Sequence, residues 1–202
     1  MRLAEKVNAV TNFYTELNAD LANLQTKNGL SCLSGCSNCC KSPNVGATIL
    51  ELLPFAYHLY QENKAELFYD ELITNPKTAI CMLYKPALTP LNNGGCSEYT
   101  YRAMICRLFG FSFRRNKENK PEMVTCKEIK TAYPVAYQEL TQQAEAGMLV
   151  PQISYYHSKL SAIDYPLSQE QYPINKAIEL ALEIVLNHFY YAETESIEII
   201  EI

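Results

Sequence analysis

Cys32, Cys36, Cys39 and Cys40 place four thiols within nine residues, a density that core packing does not require. A buried cysteine is commonly a small hydrophobe, which accounts for a lone residue such as Cys81 but not for a quartet. Gly35 and Ser37-Asn38 interrupt the quartet with turn-forming residues that let a chain fold back around an ion. Thiolates are soft ligands that select zinc, iron–sulfur clusters or copper(I). Cys81, Cys96, Cys106 and Cys126 bring the total to eight. Eight thiols suffice for two four-thiolate sites, and tetrahedral zinc and cubane iron–sulfur clusters both use four. Neighbouring side chains diverge by about 100° in a helix and about 180° in a strand. The adjacent Cys39-Cys40 pair is therefore expected to serve two metals, or to bridge them, in a multinuclear centre.

The competing use of eight cysteines is four disulfides, and composition argues against it. A chain of 202 residues with 48% hydrophobic content can bury a sizeable core without covalent help. Glu5, Lys6, Asn8, Asn12, Glu16 and Asn18 break up the first apolar positions, so no signal-peptide core is expected there. No stretch approaches the roughly 18 apolar residues of a membrane span. The expected compartment is the cytoplasm, where thiols stay reduced and clustered cysteines more often hold metal. A net charge of −5 speaks against a nucleic-acid-binding surface, which needs concentrated Lys and Arg. The one basic run, Arg114-Arg115-Asn116-Lys117, reads as a solvated hairpin tip. Metal ions are thus the expected partners; no protein partner is written in the sequence.

The remaining pattern predicts a mainly α protein, with helices around an irregular cysteine-rich centre and a small β-hairpin. Leu3, Val7, Val10, Phe13, Leu17, Leu21 and Leu24 recur at helical steps. Thr48 and Glu51 form a capping box opening a helix to about Asn63, which Pro54 either kinks or delays. A short helix is expected over Ala65–Ile73, ended by Asn75-Pro76. Between Ile80 and Cys126 helical period is lost, apart from a hairpin built on Phe111–Arg114 and Met123–Cys126. Helices follow near Pro134–Ala146, Pro151–Ala162 and Pro173–Tyr191, each with Pro near its start, and Ile197–Ile202 reads as a short strand or a tail. No linker divides the chain, so 1–202 is expected to be one domain, its cysteine core at about 30–130 between helical extensions.

The order of cysteines resembles the cysteine-cluster family of zinc- or iron-chelating domains with a CxxCxxCC motif. That motif stands here as Cys32-Leu33-Ser34-Gly35-Cys36-Ser37-Asn38-Cys39-Cys40, followed by an isolated Cys81, the element from Cys96 through Tyr99 and Arg102 to Cys106-Arg107, and Cys126. All eight cysteines find a place. Two departures exist: Arg102-Ala103 replaces the usual Arg-Pro, and three residues rather than two follow Cys32. The resemblance implies metal binding. It also implies an alternative, an iron–sulfur-dependent group transferase, because some relatives are flagellin lysine methylases.

Arg102 and Arg107 are candidate cofactor-binding residues, because they can donate hydrogen bonds to thiolate sulfur and offset its charge. His58, His157 and His188 are far apart in sequence and read as helix residues rather than ligands. Phosphate-binding glycine loops, nucleophile elbows and HExxH helices are missing, so no catalytic residue is assigned. The reading is a metal-binding protein that holds zinc or iron, or an iron–sulfur cluster, through Cys32, Cys36, Cys39, Cys40, Cys81, Cys96, Cys106 and Cys126.

Overall fold

The computed structural model describes residues 1–33, 36–74, 79–86 and 94–198. Helix α1 (Leu3–Asn28) presents the predicted apolar face and runs one polar turn past Leu24. Gly29 closes it at φ 67°, in the left-handed region that glycine enters without a Cβ penalty, and donates its amide to the Gln25 carbonyl. Strand β1 (Gly46–Ala47) leads into α2 (Ile49–Gln61), which starts at the capping box and passes through buried Pro54 without ending. Every residue from Leu50 to Ala56 is buried, as expected of a helix that is apolar all round.

Helix α3 (Ala65–Thr74) follows; the Asn75-Pro76 stop lies outside the described residues. Strands β2 (Tyr84–Lys85) and β3 (Gly95–Cys96) then pair, and a 3-10 turn at Tyr99–Tyr101 leads to α4 (Met104–Leu108). Strands β4 (Ser112–Arg115) and β5 (Pro121–Val124) form the expected hairpin. After it come α5 (Lys127–Ala132), α6 (Pro134–Glu145), α7 (Ile153–Ser161), α8 (Tyr165–Gln169), β6 (Tyr172–Pro173) and α9 (Ile174–Glu198). Helix α9 takes in Ile197, and residues 199–202 lie outside the described set. The fold is thus mainly α, and all three sheets among the described residues are two-stranded and antiparallel. Helices α4, α5 and α8 span five or six residues, too few to show a 3.6-residue period in sequence.

One apolar cluster extends from Leu3 to Val185. Helix α2 packs on α1 and α9, where Leu50, Leu53, Ala177, Ile178, Ala181 and Leu182 are fully excluded from water. Burying each large aliphatic side chain contributes roughly 1.5–3 kcal/mol. The β1–β6 pair ties the entry of α2 to the start of α9, with Gly46 opposite Pro173. None of the helices among the described residues is long and apolar enough to cross a membrane.

Candidate metal centre

The segment leaving α1 is held by scattered polar ties. Leu30 is buried, Ser31 Oγ lies 2.8 Å from the Tyr133 hydroxyl, and Asn38 Nδ2 donates to Glu128 Oε1 at 2.8 Å. Residues 38–41 make a tight turn in which the Lys41 amide donates to the Ser37 carbonyl and the Ser42 amide to that of Cys39. The Cys81 amide donates to the Cys40 carbonyl at 3.3 Å, joining the two halves of the cysteine pattern. Asn175, near the start of α9, brackets Cys81: its Oδ1 accepts the Met82 amide and its Nδ2 donates to the Ile80 carbonyl, both at 2.9 Å. Cys96 sits in β3 opposite Tyr84 of β2, whose amide donates to the Cys81 carbonyl.

Cys106 rides on α4, whose start is fixed by a buried carboxylate. Glu51 Oε1 accepts the Thr48 amide and hydroxyl, while Oε2 accepts the Met104 amide at 2.7 Å. The capping-box glutamate therefore serves two helix starts at once. Burial raises its carboxyl above the usual carboxylate range, against the opposing effect of these amides. Tyr14 of α1 donates its hydroxyl to the Glu51 carbonyl. Cys126 caps α5, its sulfur accepting the Ile129 amide at 3.5 Å.

All eight cysteines line one cavity of about 920 Å³ that also reaches Arg102 and Arg107. Its described lining contains no Asp, Glu or His, so thiols are its predominant ionisable ligands, with Tyr99 the one phenol. Such a donor set matches zinc or iron–sulfur chemistry and not magnesium or calcium, which take oxygen. All eight are free thiols. Among the described residues, no three lie close enough together to form a ligand group as they stand. The structure thus gathers the predicted ligands around one space without closing a coordination shell.

Burial is the main reason that Cys32, Cys81, Cys96 and Cys106 are raised, and the Cys39 thiolate adds to the rise in each of them and in Cys40. Hydrogen bonding from the Cys40 thiol pulls Cys39 itself down to about 6, and raises Cys40 far above the ordinary thiol range. The pair does not diverge as helix or strand geometry would require. In the 38–41 turn those rules do not apply, and both side chains face the same cavity. Burial dominates at Cys81, pushed up to about 11, and at Cys106, pushed up to about 12.

The two arginines differ. Arg107 is buried with its donors engaged by oxygen: Nε by the Arg102 carbonyl, Nη1 by Asn18 Oδ1 and Nη2 by the Thr100 carbonyl, with Tyr14 beneath the guanidinium at 4.1 Å. Arg102 stacks on Tyr99 at 3.8 Å, and its buried Nε has no hydrogen-bond partner among the described residues. Its positive charge adds to the lowering of Cys39 that the Cys40 contact dominates, and opposes the rise that burial causes at Cys96. The histidines lie elsewhere: His58 stacks on Tyr101 at 4.5 Å, His188 packs edge-on against Phe189, and His157 sits in α7 beside a smaller cavity. Arg114 pairs with Glu122 and Arg115 donates to the Asn119 carbonyl, so the basic run is the solvated hairpin that its composition predicts.

Residues 31–127, just under half of the 202, match the model of the CxxCxxCC family, described as a "putative zinc- or iron-chelating domain". This segment is similar to that family. It begins one residue before Cys32 and ends one residue after Cys126, so it takes in all eight cysteines, and it supports metal binding. No curated protein and no solved structure gives a significant match. Asn175 lies beyond the CxxCxxCC segment, and no sequence signal marks it. Glu51 was readable as a helix cap, but not as the carboxylate that also positions α4.

Proposed function

We propose that the protein binds zinc or iron in a multinuclear thiolate centre built from Cys32, Cys36, Cys39, Cys40, Cys81, Cys96, Cys106 and Cys126. The observation that carries this reading is the convergence of all eight cysteines, from five separate stretches of chain, on one cavity whose described lining has no Asp, Glu or His. Eight thiols exceed one four-coordinate shell, so the number of donors, rather than divergence of the adjacent pair, argues for more than one metal. Arg102 is the better placed of the two arginines to offset thiolate charge, since its Nε is unspent, whereas Arg107 holds the 100–107 segment in shape through its oxygen partners. The bound metal supplies cross-links between segments that have little apolar burial of their own.

A second reading, an iron–sulfur-dependent group transferase, is favoured by one feature: the cavity volume of about 920 Å³ exceeds the space that metal ions alone occupy. Elemental analysis with a visible absorption spectrum of anaerobically purified protein tests both. The expected result is more than one equivalent of zinc or iron per chain, and broad absorption near 400 nm marks the iron–sulfur version. Metal-free protein with four disulfides by mass spectrometry would sink both readings. Cys106→Ser should lower metal content by at least one equivalent, despite its distance in sequence from the quartet.

A further inference from the structure

Among the described residues, Arg102 and Arg107 are the two cations that line the cavity, and the chain treats them oppositely. Arg107 spends Nε, Nη1 and Nη2 on oxygen acceptors of the chain. The half-buried Arg102 guanidinium donates no hydrogen bond to any described residue and pairs with no described carboxylate. The ring of Tyr99, 3.8 Å away, covers one of its faces and leaves its donor edge open. A fork of donors drawn out of water calls for an acceptor, and the chain supplies none. The wall beside it is apolar. Leu33, Tyr99 and Phe109 line the cavity yet stay 38%, 61% and 36% exposed, and buried Leu21, Leu52 and Phe111 continue the same lining inward. The volume of about 920 Å³ lies within the range of sites that enclose small organic molecules.

We propose that the cavity takes, beside the metal, a monocarboxylic acid with an apolar body, its carboxylate held by the Arg102 guanidinium and its body lying against Leu33, Tyr99 and Phe109. A carboxylate matches the planar guanidinium fork with two parallel hydrogen bonds. A phosphate ester or a polyphosphate fits less well. Four thiolates around one divalent ion leave a net negative charge, and with Arg107 committed to the chain a single guanidinium offsets a single further charge. An uncharged ligand would leave that guanidinium without the charge-assisted partner that its burial calls for. The inference rests on the reading of the cavity as a metal centre, and adds to it the class of organic ligand that the remaining space accepts.

Titration calorimetry of the metal-loaded full chain tests it, with butyrate, octanoate and 4-phenylbutyrate as probes and octanamide as the uncharged control. Affinity should rise from butyrate to octanoate by about fourfold for each methylene that leaves water. Octanamide should bind roughly 10-fold or more weakly than octanoate, a comparison that needs no variant. Arg102→Lys keeps a positive charge near the thiolates but loses the fork, so it should hold the wild-type amount of metal and weaken octanoate roughly 10-fold. Arg102→Gln, which loses the charge as well, should weaken octanoate further. Octanoate bound no more tightly than octanamide, equal octanoate affinity in wild type and both Arg102 variants, or no heat from any of the three acids would overturn the proposal. Elemental analysis of the same samples separates the two levels: a chain that takes up neither zinc nor iron overturns the parent reading, whereas a metal-loaded chain indifferent to the acids overturns this one alone.

Discussion

The helical frame and the cysteine segments of this molecule are stabilised in different ways. In the frame, residues Leu50 to Ala56 of α2 are buried between α1 and α9, and apart from Glu51 their side chains are apolar. Around the cavity the chain is held by polar hydrogen bonds between segments, such as Asn38 to Glu128 or Asn175 to Ile80 and Met82. A frame built from burial tolerates the loss of any one polar contact, whereas a cavity wall built from polar ties moves when one is removed. The frame therefore fixes where the wall begins and ends, and leaves a metal to fix what lies between.

Changing Leu182, fully buried in α9, to Ala should have the largest effect on stability. The expected cost is about 2–5 kcal/mol from lost transfer free energy and a cavity. Chemical denaturation should show both regions melting together, because the wall hangs from the frame. If the cysteine segments unfolded at an unchanged denaturant concentration, the dependence of wall on frame would be refuted.

Glu51→Gln comes next, because it breaks the joint between the two regions. An amide cannot accept from Thr48 and Met104 with both of its terminal atoms, so one buried donor loses its partner at a cost of about 1–3 kcal/mol. The pH dependence gives a second readout. Burial raises the native Glu51 carboxyl, so the native state holds its proton more tightly than the unfolded chain does. Stability from this group is greatest at low pH and declines as pH rises from the ordinary carboxylate range through the raised native value. The Gln protein should lack that decline. A variant with wild-type stability and the same pH slope would mean that Glu51 is not the joint.

Asn175→Ala should act on the wall alone. Removing a residue that brackets Cys81 leaves the core of α9 intact, so thermal stability of the metal-free protein should change by less than in the two variants above. Metal affinity should fall roughly 10-fold or more, the usual cost of losing a residue that orients a ligand. Chelator competition measures it. Unchanged affinity would show that the β2–β3 unit positions Cys81 without help from α9.

What could be read from the sequence follows the same division. The helical face from Leu3 to Leu24, the Thr48–Glu51 cap and the β4–β5 hairpin are local patterns, and the structure has all three. The eight cysteines were legible as a set because their density has no packing explanation, and all eight line one cavity. The ties that bring them together were not legible. Asn175 and Cys81 are 94 positions apart, and an asparagine in a helical stretch has no pattern that announces a partner. The direction of Cys39 and Cys40 was misjudged for a related reason: their relative orientation depends on the turn at 38–41, and periodicity describes only helices and strands.

The smallest expected effect concerns that turn and sharpens the comparison at the scale of one contact. In reduced, metal-free protein the Cys40 thiol donates to the Cys39 sulfur and pulls Cys39 down to about 6, with lesser help from nearby amides and the Arg102 charge. The same contact raises Cys40, so the pair's net contribution to stability is small although its chemistry is lopsided. Changing Cys40 to Ala removes the donor and leaves the turn's backbone hydrogen bonds in place. The midpoint of the pH dependence of Cys39 alkylation should then move upward from about 6 toward the ordinary thiol value of about 8.5. The rate at neutral pH changes less than the midpoint does, since a more acidic thiolate is also a weaker nucleophile. Peptide-resolved alkylation across a pH series gives the midpoint directly. Should it stay near 6 in Cys40→Ala but rise in Arg102→Gln, the acidity of Cys39 would belong to the cation across the cavity and not to its neighbour in the turn.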